Sequence, residues 1–95
     1  MRTLTLPLKG VYFDAIKSGE KLEEYRLCTE FWRKRLEGRE FDQVVLTRGY
    51  PPQADQARRL VRAWRGFTVR ENFEHPHFGP DPVTVFAIDV SEPAA

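Results

Sequence analysis

Three consecutive stretches decide the fold: Thr3-Leu4-Thr5-Leu6-Pro7-Leu8, then Tyr12-Phe13-Asp14-Ala15-Ile16, then Gly19-Glu20-Lys21-Leu22-Glu23-Glu24-Tyr25-Arg26. In the first, Leu4, Leu6 and Leu8 share one face and Thr3 and Thr5 the other. That period-2 alternation predicts a half-buried strand. Pro7 has no amide hydrogen to give a ladder, so the strand ends there or runs along a sheet edge. Residues 10–18 switch to helical spacing, with Tyr12, Ala15 and Ile16 on one side and Phe13 beside Ile16. Gly19 suits the left-handed position that closes a helix. Residues 21–27 then read as a second strand, polar on both faces. A strand that buries no apolar face borders a cleft or an edge, so this junction is where function is expected.

Outward from this unit, Thr29 is placed to cap a second helix over residues 30–37, whose Trp32 to Leu36 spacing gives an apolar side, with Gly38 to end it. Val44-Val45-Leu46 centres a third strand over 42–48, and Tyr50-Pro51-Pro52-Gln53 is a turn. Residues 57–69 form one long strand candidate, bent or interrupted at Gly66, with Val61, Ala63, Phe67 and Val69 on its odd positions. Residues 74–82 are a proline-rich loop, 83–90 a last strand, and Ser91 onward a tail. At 95 residues the chain is one domain. So short a chain protects its sheet edges best by curling them together. The expected fold is α+β: a small mixed β-barrel of five to six strands with two helices.

A composition of 41% hydrophobic residues suits a folded chain and excludes a disordered one. The net charge of +1 excludes a globally basic polyanion binder, so any nucleic-acid footprint must be local. Cys28 is the only cysteine, which rules out an intrachain disulfide and fits a reducing compartment. No apolar run approaches the roughly 20 residues that span a bilayer. The N-terminus enters a strand pattern where a signal peptide would have an apolar core. A soluble cytoplasmic protein is expected.

The chemistry concentrates at the junction. Lys21, Glu24 and Arg26 lie within six residues, and ionisable groups of both signs so close can grip a polar ligand and tune one another. Strict parity sets Glu24 and Arg26 on one face and Lys21 with Glu23 and Tyr25 on the other. Convergence therefore needs a bend near Leu22 or a strand that starts after Lys21. A lysine buried beside an arginine is pushed towards a neutral base or nucleophile, while a carboxylate between two cations stays ionised and holds both. Surface ion pairing on an edge strand is the plainer alternative.

The pattern Gly-x-Lys-x-x-Glu-x-Arg over Gly19 to Arg26 resembles the signature of ASCH domains, small relatives of the PUA-like RNA-binding barrels. Leu6-Pro7-Leu8-Lys9 and Tyr12-Phe13-Asp14-Ala15-Ile16 are similar to that family's first strand and helix. The resemblance spans essentially the whole chain, with its specific motif content in residues 6–26. It implies a PUA-like barrel and an RNA or nucleoside-like ligand. Some bacterial members are N4-acetylcytidine amidohydrolases with a Lys-Thr-Glu site. Their lysine matches Lys21, and Glu24 stands where their threonine would fall.

Two further features carry chemistry. Arg58, Arg59, Arg62, Arg65 and Arg70, with Trp64 among them, form an acid-free run suited to phosphates and stacking, or else a charge-protected edge strand. Tyr25 and Tyr50 are candidate walls for a stacked base, whereas Tyr12, Phe13, Phe31, Trp32 and Phe41 read as core. His75-Pro76-His77 lacks a third ligand at metal spacing, so neither a metal nor another cofactor is expected. Phosphate-loop, dinucleotide and nucleophile-elbow motifs are absent. The leading expectation is recognition of RNA or a nucleoside in a cleft of Lys21, Glu24, Tyr25 and Arg26, helped by Arg48, Tyr50 and Arg62. An amidohydrolase or nuclease with Lys21 as base or nucleophile, assisted by Glu24, and a protein-interaction module are the alternatives. Oligomeric state has no signature in the sequence.

Overall fold

The computed structural model describes residues 1–94. Its elements run β1 (Thr3–Leu8), α1 (Gly10–Ser18), β2 (Glu23–Leu27), α2 (Glu30–Leu36), β3 (Gln43–Arg48), β4 (Arg59–Ala63), β5 (Phe67–Phe73) and β6 (Val83–Asp89). Short 3-10 turns occupy Gln56–Arg58 and Pro76–Phe78. Six strands and two helices make an α+β fold of two three-stranded sheets, ordered β1-β3-β4 and β2-β6-β5. β1 and β3 are parallel, in register at Leu4↔Val44 and Leu6↔Leu46, because α1, β2 and α2 provide the long return that parallel pairing needs. The other three pairings are antiparallel.

The alternation of β1 sends Leu4, Leu6 and Leu8 inward, where they join Val44 and Leu46 of β3. Phe13 and Ile16 of α1, Leu36 of α2 and Phe86, Ile88 and Val90 complete a single cluster that both sheets share. β6 is buried without alternation from Val85 to Ile88, as a strand covered on both faces must be. Gly19 closes α1 at φ +89 with its amide donating to Ile16 O, and Thr29 Oγ1 caps α2 by accepting from Trp32 N at 3.3 Å. Each helix therefore begins or ends where local chemistry directs.

The structure departs from the expected elements in three places. The strand expected over 57–69 is two strands in different sheets: β4 pairs with β3 and β5 with β6, and Gly66, at φ +82, turns the chain between them. Leu60 of β4 and Trp64 just after it pack against the core, while Val61 is exposed. β2 begins at Glu23, after Lys21. Its predecessors are held elsewhere, with Lys21 N donating to Ala15 O and Val90 N donating to Leu22 O, both at 3.0 Å. Finally, part of the expected tail is structured. Ala63 N donates to Glu92 O at 2.8 Å and Arg62 bridges Pro93, so the chain leaving β6 laces onto β4. Among the described residues the two ladders do not run on into a closed barrel. No helix among them is long and apolar enough to cross a membrane.

Candidate functional site

β2 lies on the edge of its sheet and turns an acid towards the interior. Glu24 is only 4% exposed, which is costly for a carboxylate unless it is paired. Two neighbours from its own segment supply that pairing. Arg26, one strand period on, donates from Nη1 to Glu24 Oε2 at 2.6 Å. Lys21 brings Nζ to 3.7 Å from Glu24 Oε1, which its tether to the end of α1, outside the ladder, allows. The guanidinium is fixed further by donation from Nη2 to Pro7 O at 2.9 Å and from Nη1 to Tyr25 O at 3.2 Å. Proline at position 7 gives the ladder no donor, but its carbonyl anchors the Arg26 guanidinium.

Aromatic rings enclose these charges. Lys21 Nζ lies 4.1 Å from the centroid of the Tyr25 ring and 5.3 Å from that of Tyr12. The Arg26 guanidinium sits 5.3 Å from the centroid of a Trp32 ring. Cation–π contacts of this kind contribute about 0.5–2 kcal/mol each. Burial lowers the Lys21 pKa, with the attraction of Glu24 opposing it and Arg26 adding to it. Burial likewise raises the Tyr25 phenol, and Glu23, which accepts from Tyr25 Oη at 3.3 Å, raises it further.

A bulge in β5 builds the far wall. The register shifts between Arg70 and Phe73, and Asn72 takes a left-handed φ of +52. The kink brings Phe73 to 4.6 Å from Tyr25, centroid to centroid, and throws the following turn over α1. His75 then lies 5.8 Å and His77 5.5 Å from Tyr12, ring to ring. His75 Nδ1 accepts from His77 N at 3.1 Å, which locks the His-Pro-His segment. Burial lowers the His75 pKa, reinforced by the positive charge of Lys21. The result is a cleft of about 300 Å³, floored by Lys21, Glu24 and Arg26, walled by Tyr12, Tyr25, Trp32, His75, His77 and Phe78, and rimmed by Lys9 and Tyr50.

No family model, curated protein or solved structure matches this chain. Three cations, Lys9, Lys21 and Arg26, face one carboxylate in the lining, so the cleft favours a ligand with anionic or carbonyl character beside a flat ring. Among the described residues no three His, Cys, Asp or Glu side chains gather as metal ligands.

Of the residues singled out in the sequence, Lys21, Glu24, Tyr25 and Arg26 meet in this cleft, and Tyr50, 91% exposed, stands at its mouth. Arg48 and Arg62 do not line it. Arg48 pairs with Asp14 at 3.4 Å and lies close over Gly10, where a Cβ would meet its guanidinium at 2.6 Å. Arg62 reaches from β4 to the last turn of α1, donating from Nη2 to Ile16 O at 3.4 Å. The rest of the arginine run is also engaged: Arg58 with Asp55, Arg65 with Glu92, Arg70 with Glu23, and Arg59 with the carbonyls of Pro51 and Pro52. Tyr12 and Trp32, expected in the core, are half-buried and line the cleft. The histidine pair, expected to be a plain loop, forms a wall.

Proposed function

We propose that the cleft recognises a nucleoside-like ligand, free or as part of RNA, and that the chain is an ASCH-like domain. The observation that carries this is the buried Glu24 carboxylate held between Lys21 and Arg26 beneath aromatic walls. Lys21 uses Oε1 only loosely, at 3.7 Å, so this oxygen has capacity to accept from the amino or imino edge of a base. The cations serve its carbonyls or a phosphate, and stacking on tyrosine or tryptophan adds about 1–3 kcal/mol per base. A volume of about 300 Å³ stands at the small end of ligand pockets. In this reading the two sheets are the halves of a small PUA-like barrel. Their common core and the lacing of the chain after β6 onto β4 support it. A single free thiol, Cys28, suits the cytoplasm.

The lowered Lys21 pKa favours a second reading, hydrolysis of an acyl or phosphoryl group with Lys21 as base or nucleophile. Against it, the carboxylate that Lys21 meets is Glu24, three residues away on its own segment, among the described residues. A hydrolase would draw a further acid or hydroxyl from another strand. Calorimetric titration with a nucleoside and nucleotide panel, run beside a chromatographic turnover assay on acylated cytidines and short RNAs, separates the two. Saturable binding without turnover supports recognition. Turnover abolished by Lys21→Ala establishes the hydrolase, and no binding to any member overturns both.

A further inference from the structure

Beyond Trp32, between α2 and the free edge of β1, lies a groove of about 560 Å³. Thr3 and Thr5 line one side, and Phe31, Lys34, Arg35 and Arg39 the other, with no carboxylate in the lining. Arg35 and Arg39 have no carboxylate partner among the described residues, unlike Arg58, Arg65 and Arg70. Arg39 commits only Nε, donating to Lys34 O at 2.9 Å. Lys34 pairs with Glu30 at 3.4 Å, but both side chains are at least 75% exposed, so that pair holds the lysine weakly.

Groove and cleft are joined by stacked side chains. Arg26 of the cleft floor lies over Trp32, and Trp32 meets Phe31 edge to face at 5.3 Å. Arg35 lies over Phe31 at 4.2 Å and reaches Trp32 at 5.9 Å. Phe31, expected in the core, is 56% exposed, so ring surface beside Arg35 is open to a ligand. Cations that alternate with accessible rings along a groove are the composition of a single-strand track, in which phosphates meet the cations and bases the rings. A peptide of acids alone would use the cations and leave the rings bare.

We propose that a single strand of RNA runs over α2, with one nucleotide in the cleft and neighbouring phosphates on Lys34, Arg35 and Arg39. This rests on the nucleoside reading of the cleft and makes its ligand one unit of a polymer. The test measures anisotropy of a fluorescein-labelled oligouridylate about eight nucleotides long across a salt series, beside calorimetry with uridine 5′-monophosphate. The variants are Arg35→Gln/Arg39→Gln, the charge-preserving Arg35→Lys/Arg39→Lys, and Phe31→Ala, all at exposed positions.

The glutamine pair should weaken oligomer binding by about tenfold or more and flatten the log–log salt slope by about 1.4, two contacts at about 0.7 each. The lysine pair should keep the slope. Phe31→Ala should weaken binding at every salt concentration, and none of the three should alter mononucleotide affinity. If the mononucleotide binds but the oligomer gains nothing and the groove variants change nothing, the track is overturned and the cleft reading stands. If the oligomer binds through the groove while the mononucleotide does not bind, the cleft reading falls and the groove stands as an RNA site by itself. Equal binding of a polyglutamate peptide, equally lost in the glutamine pair and indifferent to Phe31→Ala, overturns RNA in favour of an acidic protein.

Discussion

Replacing Glu24 by Gln keeps the shape of the side chain and removes only its charge. In the folded protein the carboxylate neutralises two cations whose side chains are 14% and 16% exposed, Lys21 and Arg26. Breaking a buried pair from one side costs about 3–5 kcal/mol because the remaining charge is stranded. Here Arg26 keeps the carbonyls of Pro7 and Tyr25, and the glutamine oxygen can still accept from it, which places the cost near the lower end. At about 4–8 °C per kcal/mol for a chain of this size, a loss of about 3 kcal/mol lowers Tm by about 12–24 °C. The control is Glu23→Gln one residue earlier, where the carboxylate is 25% exposed and its Arg70 partner 44%. An exposed pair contributes about 0–1 kcal/mol, so this control should move Tm by less than about 8 °C. Thermal melts followed by circular dichroism, with urea midpoints as a second measure, compare the two. If Glu24→Gln costs no more than Glu23→Gln, the carboxylate is not the electrostatic centre of the cleft and the reasoning fails.

The other expected outcomes separate function from scaffold. Lys21→Met should hold stability within about 1 kcal/mol, since burial already disfavours the ammonium, and should abolish ligand binding or turnover as read by calorimetry and chromatography. Arg62→Ala should lower stability by about 1–2 kcal/mol in urea unfolding, through the lost stem packing and the donation to Ile16 O, while leaving ligand affinity unchanged. The lowered His75 pKa means that the unfolded chain binds the proton more readily. Stability should therefore be unaffected by this group above its ordinary value of 6.5 and decline as pH falls below it. His75→Phe should flatten that decline in melts recorded across the acidic range.

The elements near residues 3–48 were legible because each carries a local signal: leucine alternation in β1, Gly19 at the end of α1, Thr29 before α2 and the valine-rich centre of β3. The departures arise where partners distant in sequence decide. The run from 57 to 69 has strand composition throughout, and only the competing demands of β3 and β6 split it at Gly66. The junction was visible as charges on a strand with no apolar face, but strict parity separates Lys21 from Glu24. Only the tether of Lys21 to Ala15 O, outside the ladder, brings them together. Tyr12 and Trp32 show core spacing along their helices yet are only half-buried and wall the cleft. His75 and His77 reach the site through a bulge at Asn72, which the sequence signals only weakly. The arginine run reads as a binding strip because its partners, Asp55, Glu92, Glu23 and the carbonyl of Ile16, are remote or outside the run.

A ligand site in the cleft beside Glu24 has a direct spectroscopic signature. Amide chemical-shift mapping of the labelled protein, titrated with uridine and cytidine 5′-monophosphates, tests it most directly. Saturable shifts should appear at Lys21, Glu24, Tyr25, Arg26 and Trp32, with the Trp32 indole included, and disappear in Lys21→Met. Shifts confined to other surfaces, or saturable shifts that persist unchanged in Lys21→Met, would contradict it.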